Sequence, residues 1–257
     1  MPLIREISDY LDSLLETGIT PDYPTALNGL QLENRSEIRG VAAAVDFSNR
    51  AIDGAISAGA NLLIVHHGMF WSGATPVKGA SYQKLRKLLE HDVAVYSSHL
   101  PLDRHARFGN NVLLARELGL QPDGLFARFE NIHIGVSGKS DISTADLISR
   151  AGKLASEHAG VARHTVSETG RRTRHWAICT GAGASSDTLK ETEEMGIDTL
   201  IVGEGPHWTA IHAEDHQLVI IYAGHYATET LGVRAIASHV AERYGVPSSF
   251  ISAPTGL

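Results

Sequence analysis

Ala58-Gly59-Ala60-Asn61-Leu62-Leu63-Ile64-Val65-His66-His67 is the stretch that decides the fold: a glycine turn, an apolar strand-like run, then two histidines. Met195-Gly196-Ile197-Asp198-Thr199-Leu200-Ile201-Val202-Gly203-Glu204 repeats it, with an acid in the last place. In each half the next apolar run also stops at a histidine, with an acid four residues on. Val93-Ala94-Val95-Tyr96-Ser97-Ser98 leads into His99 and Asp103, and Leu218-Val219-Ile220-Ile221-Tyr222-Ala223-Gly224 leads into His225 and Glu229. We read an internal duplication, with polar residues presented from corresponding strand ends. Chance similarity between two α/β units is the alternative.

Working outward, strand-like and helix-like runs alternate almost throughout, which is the pattern of an α/β chain. Ile4, Ile7, Leu11, Leu14 and Leu15 recur at helical spacing until Gly18. The run 40–46 is a small-residue strand closed by Asp46, and helices over about 48–57, 82–90 and 110–118 follow among the strands 61–65 and 93–98. The second half gives strands over 131–137, 175–180, 198–202 and 218–223. Its helices fall over 143–157, opened by the capping pair Ser143 and Asp146, and over 186–195, 209–215 and 229–244. No periodicity is visible from Pro247 onward. The approximate repeats are residues 1–122 and 123–250, with no low-complexity linker between them, so one body spanning 1–257 is expected.

Composition is that of a soluble globular protein, with 43% hydrophobic and 20% charged residues. Histidine is the outlier at 14 copies. The formal net charge of −7 argues against strong nucleic-acid binding or attraction to an anionic membrane. Arg171-Arg172-Thr173-Arg174 is a local basic exception and reads as a solvated loop before a strand. The single Cys179 lies inside an apolar run, where a buried structural thiol is expected rather than a nucleophile. The first residues carry no signal-type core and no apolar stretch approaches the ~18 residues needed to span a bilayer, so a cytoplasmic location is the expectation.

Four imidazoles (His66, His67, His99, His225) and two carboxylates (Asp103, Glu229) thus stand just past the ends of apolar runs. They are enough nitrogen and oxygen donors for two metal ions, and the chain reads as a dinuclear metal protein. Neighbours on an extended strand point to opposite faces, so His66 and His67 reach a common cavity only where the backbone turns, which Gly68 allows. A hydrogen-bonded histidine pair in a β–α loop is the competing reading. His225 and Glu229 face the same way if a helix starts near His225. Between His99 and Asp103, Pro101 favours an extended or turn geometry.

Val65-His66-His67-Gly68-Met69-Phe70-Trp71, Ser98-His99-Leu100-Pro101-Leu102-Asp103, Val202-Gly203-Glu204 and Ala223-Gly224-His225-Tyr226-Ala227-Thr228-Glu229 resemble, in order and spacing, the Nif-three-like family. Its members are often labelled GTP cyclohydrolase I type 2 homologues. Asn28-Gly29-Leu30-Gln31 is similar to the family's opening motif, and the likeness runs from about Ile4 to Tyr244. The resemblance implies two intertwined α/β repeats with small mixed sheets, a di-metal centre between them, and a ring-shaped homohexamer. The segment from Leu120 to Arg174 is too short for the domain inserted in some relatives, which implies the compact bacterial form. By resemblance the metal ligands are His66, His67, Asp103, His225 and Glu229. His99 is implied as a weak ligand or as a group behind the ligands, and Glu204 as an acid behind them; His207 falls where relatives vary.

Mixed imidazole and carboxylate donors suit two divalent ions per chain, with zinc, iron or manganese as candidates. The expected chemistry is metal-dependent hydrolysis of the GTP cyclohydrolase type: Glu229 bridges the ions, a bridging hydroxide attacks, and His99 or Glu204 moves the proton. The substrate expected is a small molecule, with nucleotides among the candidates. No Walker-type phosphate loop is present, and the nearest glycine-rich turn, Gly181-Ala182-Gly183, lacks the third glycine and lysine of known fingerprints. It reads as an ordinary tight turn. The alternative functions are a hydrolase for another substrate and a non-catalytic metal-binding or regulatory interaction protein, since eukaryotic relatives are described as partners of transcription factors. Trp71 could roof the cavity, Phe70 reads as core, and Trp208 is ambiguous between the two. The other histidines, His212 and His216 among them, show no partner pattern and read for the most part as surface or satisfied loop residues.

Overall fold

The computed structural model describes residues 1–165 and 168–256. Its elements begin with α1 (Ile4–Leu14), β1 (Gly29–Leu32), β2 (Val41–Asp46), α2 (Asn49–Ser57), β3 (Leu62–His67), α3 (Ala80–Glu90) and β4 (Ala94–Ser97). Then follow α4 (Leu100–Asp103), α5 (Asn110–Glu117), β5 (Gly124–Phe129), β6 (Ile132–Ser143), α6 (Thr144–Glu157) and β7 (Arg163–His164). The chain continues through β8 (Arg172–Cys179), α7 (Ser186–Met195), β9 (Thr199–Val202), α8 (Trp208–Asp215), β10 (Val219–Tyr222), α9 (His225–Tyr244) and β11 (Ser248–Phe250). These form two compact units: Met1–Leu102 with Gly232–Ala253, and Asp103–Leu231 with the residues from Pro254 on. None of the described helices is long and apolar enough to cross a membrane.

The first unit is built on a five-stranded mixed sheet in the order β1-β4-β3-β2-β11. β2, β3, β4 and β11 run parallel and β1 is antiparallel at the edge. Ala42, Ala44, Leu63, Val65 and Val95 pack against Ala51, Ile52 and Ala55 of α2 and Leu88 of α3. On alternate positions Val41, Ala43, Leu62, Ile64 and Tyr96 are equally buried, so both faces of the parallel strands are covered, as such sheets require. The Tyr96 hydroxyl donates to Asp12 of α1 at 2.8 Å, which satisfies it on that second face.

The second unit carries a six-stranded mixed sheet in the order β5-β6-β8-β9-β10-β7. Its parallel centre, β8-β9-β10, is flanked by antiparallel neighbours. Trp176, Ile178, Ile201, Val219 and Ile221 face a core that includes Leu114, Leu147 and Leu154. Ala177, Cys179, Leu200, Val202 and Ile220 alternate with them toward Leu189 of α7 and Ala213 of α8. Each unit therefore holds the same parallel strand–helix–strand–helix–strand run, β2 to β4 in one and β8 to β10 in the other, consistent with internal duplication. The fold is α/β with two small mixed sheets.

Several boundaries differ from the sequence reading. β3 does not stop at Val65 but carries His66 and His67 inside the strand. β1, β5, β7 and β11 were not anticipated. Ser248, Ser249 and Phe250 join the sheet through backbone pairing to Val41, Ala42 and Ala43, which leaves no hydrophobic alternation to read. The basic stretch is not a loop: β8 begins at Arg172, Arg172 pairs with Asp141, and Arg171 donates to the carbonyls of Asp198 and Gln217. α4 is a helical turn despite Pro101, because a proline in the first turn gives up an N–H that has no partner there.

Candidate metal centre

In the first unit His66 and His67 end β3 and His99 follows β4, and the three imidazoles converge. One ligand atom from each lies within 4.8 Å of the others. Ring centroids are 4.8 Å apart for His66 and His67, and 4.9 Å for His66 and His99. All three side chains are buried. His66 Nδ1 lies 2.9 Å from the Ser98 carbonyl. His67 Nδ1 lies 2.9 Å from Asp46 Oδ1, its registered partner on the neighbouring parallel strand. His99 Nδ1 lies 2.8 Å from Asp22 Oδ1. Each ring is thereby oriented by an acceptor behind Nδ1, which assigns Nε2 to the cluster side.

The Asn28–Gln31 motif holds the backbone around these rings. Asn28 Oδ1 accepts the His99 N–H at 2.7 Å while its amide donates to Asp22 Oδ2 at 2.8 Å. Gln31 Oε1 accepts the Met69 N–H at 2.6 Å, and its amide donates to the Leu27 carbonyl. Gly68 serves this clasp: a Cβ there would push the Gln31 amide away, so glycine preserves the close approach and is not needed for a left-handed turn. Asp22 was missed by sequence reasoning, and its isolated place in a proline-flanked loop gives no signal. Burial raises its pKa, but the His99 hydrogen bond and charge, Asn28 and the Leu100 N–H outweigh burial and hold it below the usual carboxylate value.

Trp71 closes one side. Its ring centroid lies 4.5 Å from that of His67 and 4.7 Å from that of His99, and the residue is 37% exposed. Tyr23 stands 6.0 Å from His99 and is also exposed. Phe70 is only half-buried, less enclosed than a core reading expects, and Trp208 is exposed.

In the second unit α9 starts at His225, not at residue 229, so His225 and Glu229 sit one turn apart on the same face. His225 Nε2 lies 3.1 Å from Glu229 Oε2, and His225 Nδ1 lies 2.8 Å from Glu204 Oε1. Burial opposes the imidazolium, but Glu229 and Glu204 outweigh it and push the His225 pKa up to about 9. Glu229 is buried and Glu204 is exposed. Gly181 lies under this pair at φ +63°, where an added Cβ would strike Glu229 Oε1, and its N–H donates to Thr228 Oγ1 at 3.1 Å. The Gly181–Gly183 turn is thus part of the site's floor and not an incidental turn. Asp103 ends α4 and is buried, with Oδ1 accepting from Asn110 at 2.8 Å. Burial, reinforced by the charges of Asp103, Glu191 and Glu229, pushes the Cys179 thiol far up, which removes it as a nucleophile.

The donors fit a borderline divalent cation. Four histidines, His66, His67, His99 and His225, have Nδ1 backed by a carbonyl or carboxylate, the arrangement that fixes tautomer and raises ligand basicity in metal sites. Beside Glu204, a cleft of about 490 Å³ is lined by Arg163, His164, His207 and Tyr222. It places His207, whose role the sequence left open, at a cleft wall.

The family model described as Duf34/NIF3 (NGG1p interacting factor 3) matches residues 2–255. A Deinococcus radiodurans protein named GTP cyclohydrolase 1 type 2 homolog is 35% identical, over 98% of this chain and 94% of its own length. A Pyrococcus abyssi protein of the same name is 38% identical, over 98% of this chain and 99% of its own length. The solved structure of protein ybgI, titled as of unknown function, superposes with a TM-score of 0.87 at 29% identity, covering 99% of this chain and all of that one.

Proposed function

The chain belongs to the Duf34/NIF3 family, and on that premise we propose that it is a metal-dependent hydrolase in which His66, His67, Asp103, His225 and Glu229 hold two divalent cations. The observation that carries the reading is the set of four histidines whose Nδ1 atoms are each tied to an acceptor, at 2.8–2.9 Å. Three of these rings, His66, His67 and His99, are also buried and converge, unlike the exposed His91, whose Nδ1 meets only a helix carbonyl.

Cations bound there would supply Lewis-acid polarisation of a substrate and an acidified water. The protein's own part is orientation and proton handling. Asp22 keeps the His99 ring fixed with one nitrogen turned to the cluster, and His99 is our candidate to move a proton at Nε2. Glu204 fixes His225 while remaining exposed, so it can exchange protons with solvent. Trp71, tilted at 45° to His67, edge-on to His99 and partly exposed, offers an aromatic surface for a planar ring. Arg163 and His164 in the neighbouring cleft would suit an anionic group.

The name carried by the relatives extends the proposal to a purine nucleotide, whose guanine ring would be opened by water with loss of a carbon as formate. The same reading carries a homohexameric ring, checked by light scattering. GTP turnover should vanish in chelated protein and return with added zinc, iron(II) or manganese. Fully loaded protein that turns over neither GTP nor other nucleotides contradicts the hydrolase reading and leaves a metal-binding interaction protein.

A further inference from the structure

Glu193, His212 and His216 form a separate cluster within the second unit. His212 and His216 lie one turn apart at the end of α8, with rings stacked at 4.1 Å and 18°. Glu193, near the end of α7, presents Oε1 3.1 Å from His212 Nε2 and 3.6 Å from His216 Nε2. His216 Nδ1 lies 2.8 Å from the His212 carbonyl, and a carbonyl only accepts, so Nδ1 carries the proton. The Nε2 lone pair is then turned toward a carboxylate oxygen at 3.6 Å, two donors that a metal ion between them would satisfy together.

We propose that His212, His216 and Glu193 form a binding site for a divalent transition-metal ion such as zinc, distinct from the centre described above. The N···O separations of 3.1 and 3.6 Å bracket the ligand–ligand edge of about 3.3 Å that tetrahedral zinc requires at its usual bond lengths. The backing of His216 Nδ1 by a carbonyl is the feature that orients imidazoles for metals. Lys190, three residues before Glu193 on α7, pairs with Glu194 at 3.7 Å. His212 is partly covered while His216 and Glu193 are more open, with side chains 23%, 43% and 44% exposed. Three protein donors leave an open position facing solvent, available to water or to a donor from another molecule. Two imidazoles and a carboxylate suit zinc, and nickel(II) or copper(II) by the same chemistry.

The test is equilibrium dialysis of tag-free protein against micromolar zinc, with H212A/H216A, Glu193→Gln and H225A compared with the wild type. H212A/H216A should hold about one zinc fewer per chain, and Glu193→Gln should weaken that ion by on the order of 10-fold. H225A should keep it, so failure of the proposed hydrolytic centre and failure of this site read separately. In the wild type, zinc should protect His212 and His216 from diethylpyrocarbonate, followed by mass spectrometry. Equal zinc content in wild type and H212A/H216A overturns the proposal, as does modification of both histidines at the same rate with and without zinc.

Discussion

Asp22 Oδ1 lies 2.8 Å from His99 Nδ1, and Asp22 Oδ2 accepts the Leu100 N–H at 2.9 Å, so a single carboxylate fixes both the ring and the backbone that carries it. Asp22→Asn keeps the shape but removes the charge behind the imidazole. It should lower turnover by on the order of 100-fold while leaving the fold and the metal content intact. Steady-state kinetics beside elemental analysis of the same sample reads both, and unchanged turnover contradicts the assigned role.

Gly181 combines a left-handed backbone with a missing Cβ beneath Glu229. Gly181→Ala should therefore lower stability by about 1–3 kcal/mol and reduce metal content by displacing the carboxylate. Calorimetry and elemental analysis of the same sample check both effects; a variant with wild-type metal content sinks the account of the floor.

The His225 pKa of about 9 in metal-free protein has a definite sign of effect. Its folded value stands above the unfolded one near 6.5, so the pairing stabilises the metal-free fold fully below about pH 6.5 and is lost as pH rises through about 9. Between those limits a cation must displace a proton from the ring, so loading should release protons and tighten as pH rises. Imidazole NMR of metal-free protein measures the titration directly. A His225 midpoint near 6.5 would rule this out.

Trp71 touches two of the clustered histidines yet remains partly exposed. Trp71→Ala should raise KM for a planar heterocyclic substrate by about 10-fold, with metal content unchanged. A variant that loses metal and leaves KM alone would assign Trp71 to packing around the ligands instead.

The parallel strands and their helices were legible because their apolar runs are continuous and their ends are marked by glycine or polar residues. The edge strands were not, since Gly29–Leu32 and Ser248–Phe250 are defined by backbone pairing and carry little pattern. The histidines ending β3 and following β4 stood out for the same reason as the strands. Their partners divide instructively. Asp46 closes a strand and pairs in register with His67, so it was visible as a strand-ending acid. Asp22 reaches His99 across 77 residues of sequence, and nothing local betrays it. His212 and His216 showed no partner pattern in the sequence, because their third neighbour, Glu193, comes from another helix and emerges only in three dimensions.

The central claim is that the anchored histidines hold metal. Its most direct test is elemental analysis of tag-free H212A/H216A protein purified without chelators, so that only the proposed centre is counted. The account predicts about two transition-metal ions per chain, with one lost on His225→Ala and both disturbed by Glu229→Ala in that background. Near-zero metal, even after incubation with zinc, iron(II) and manganese, would contradict it.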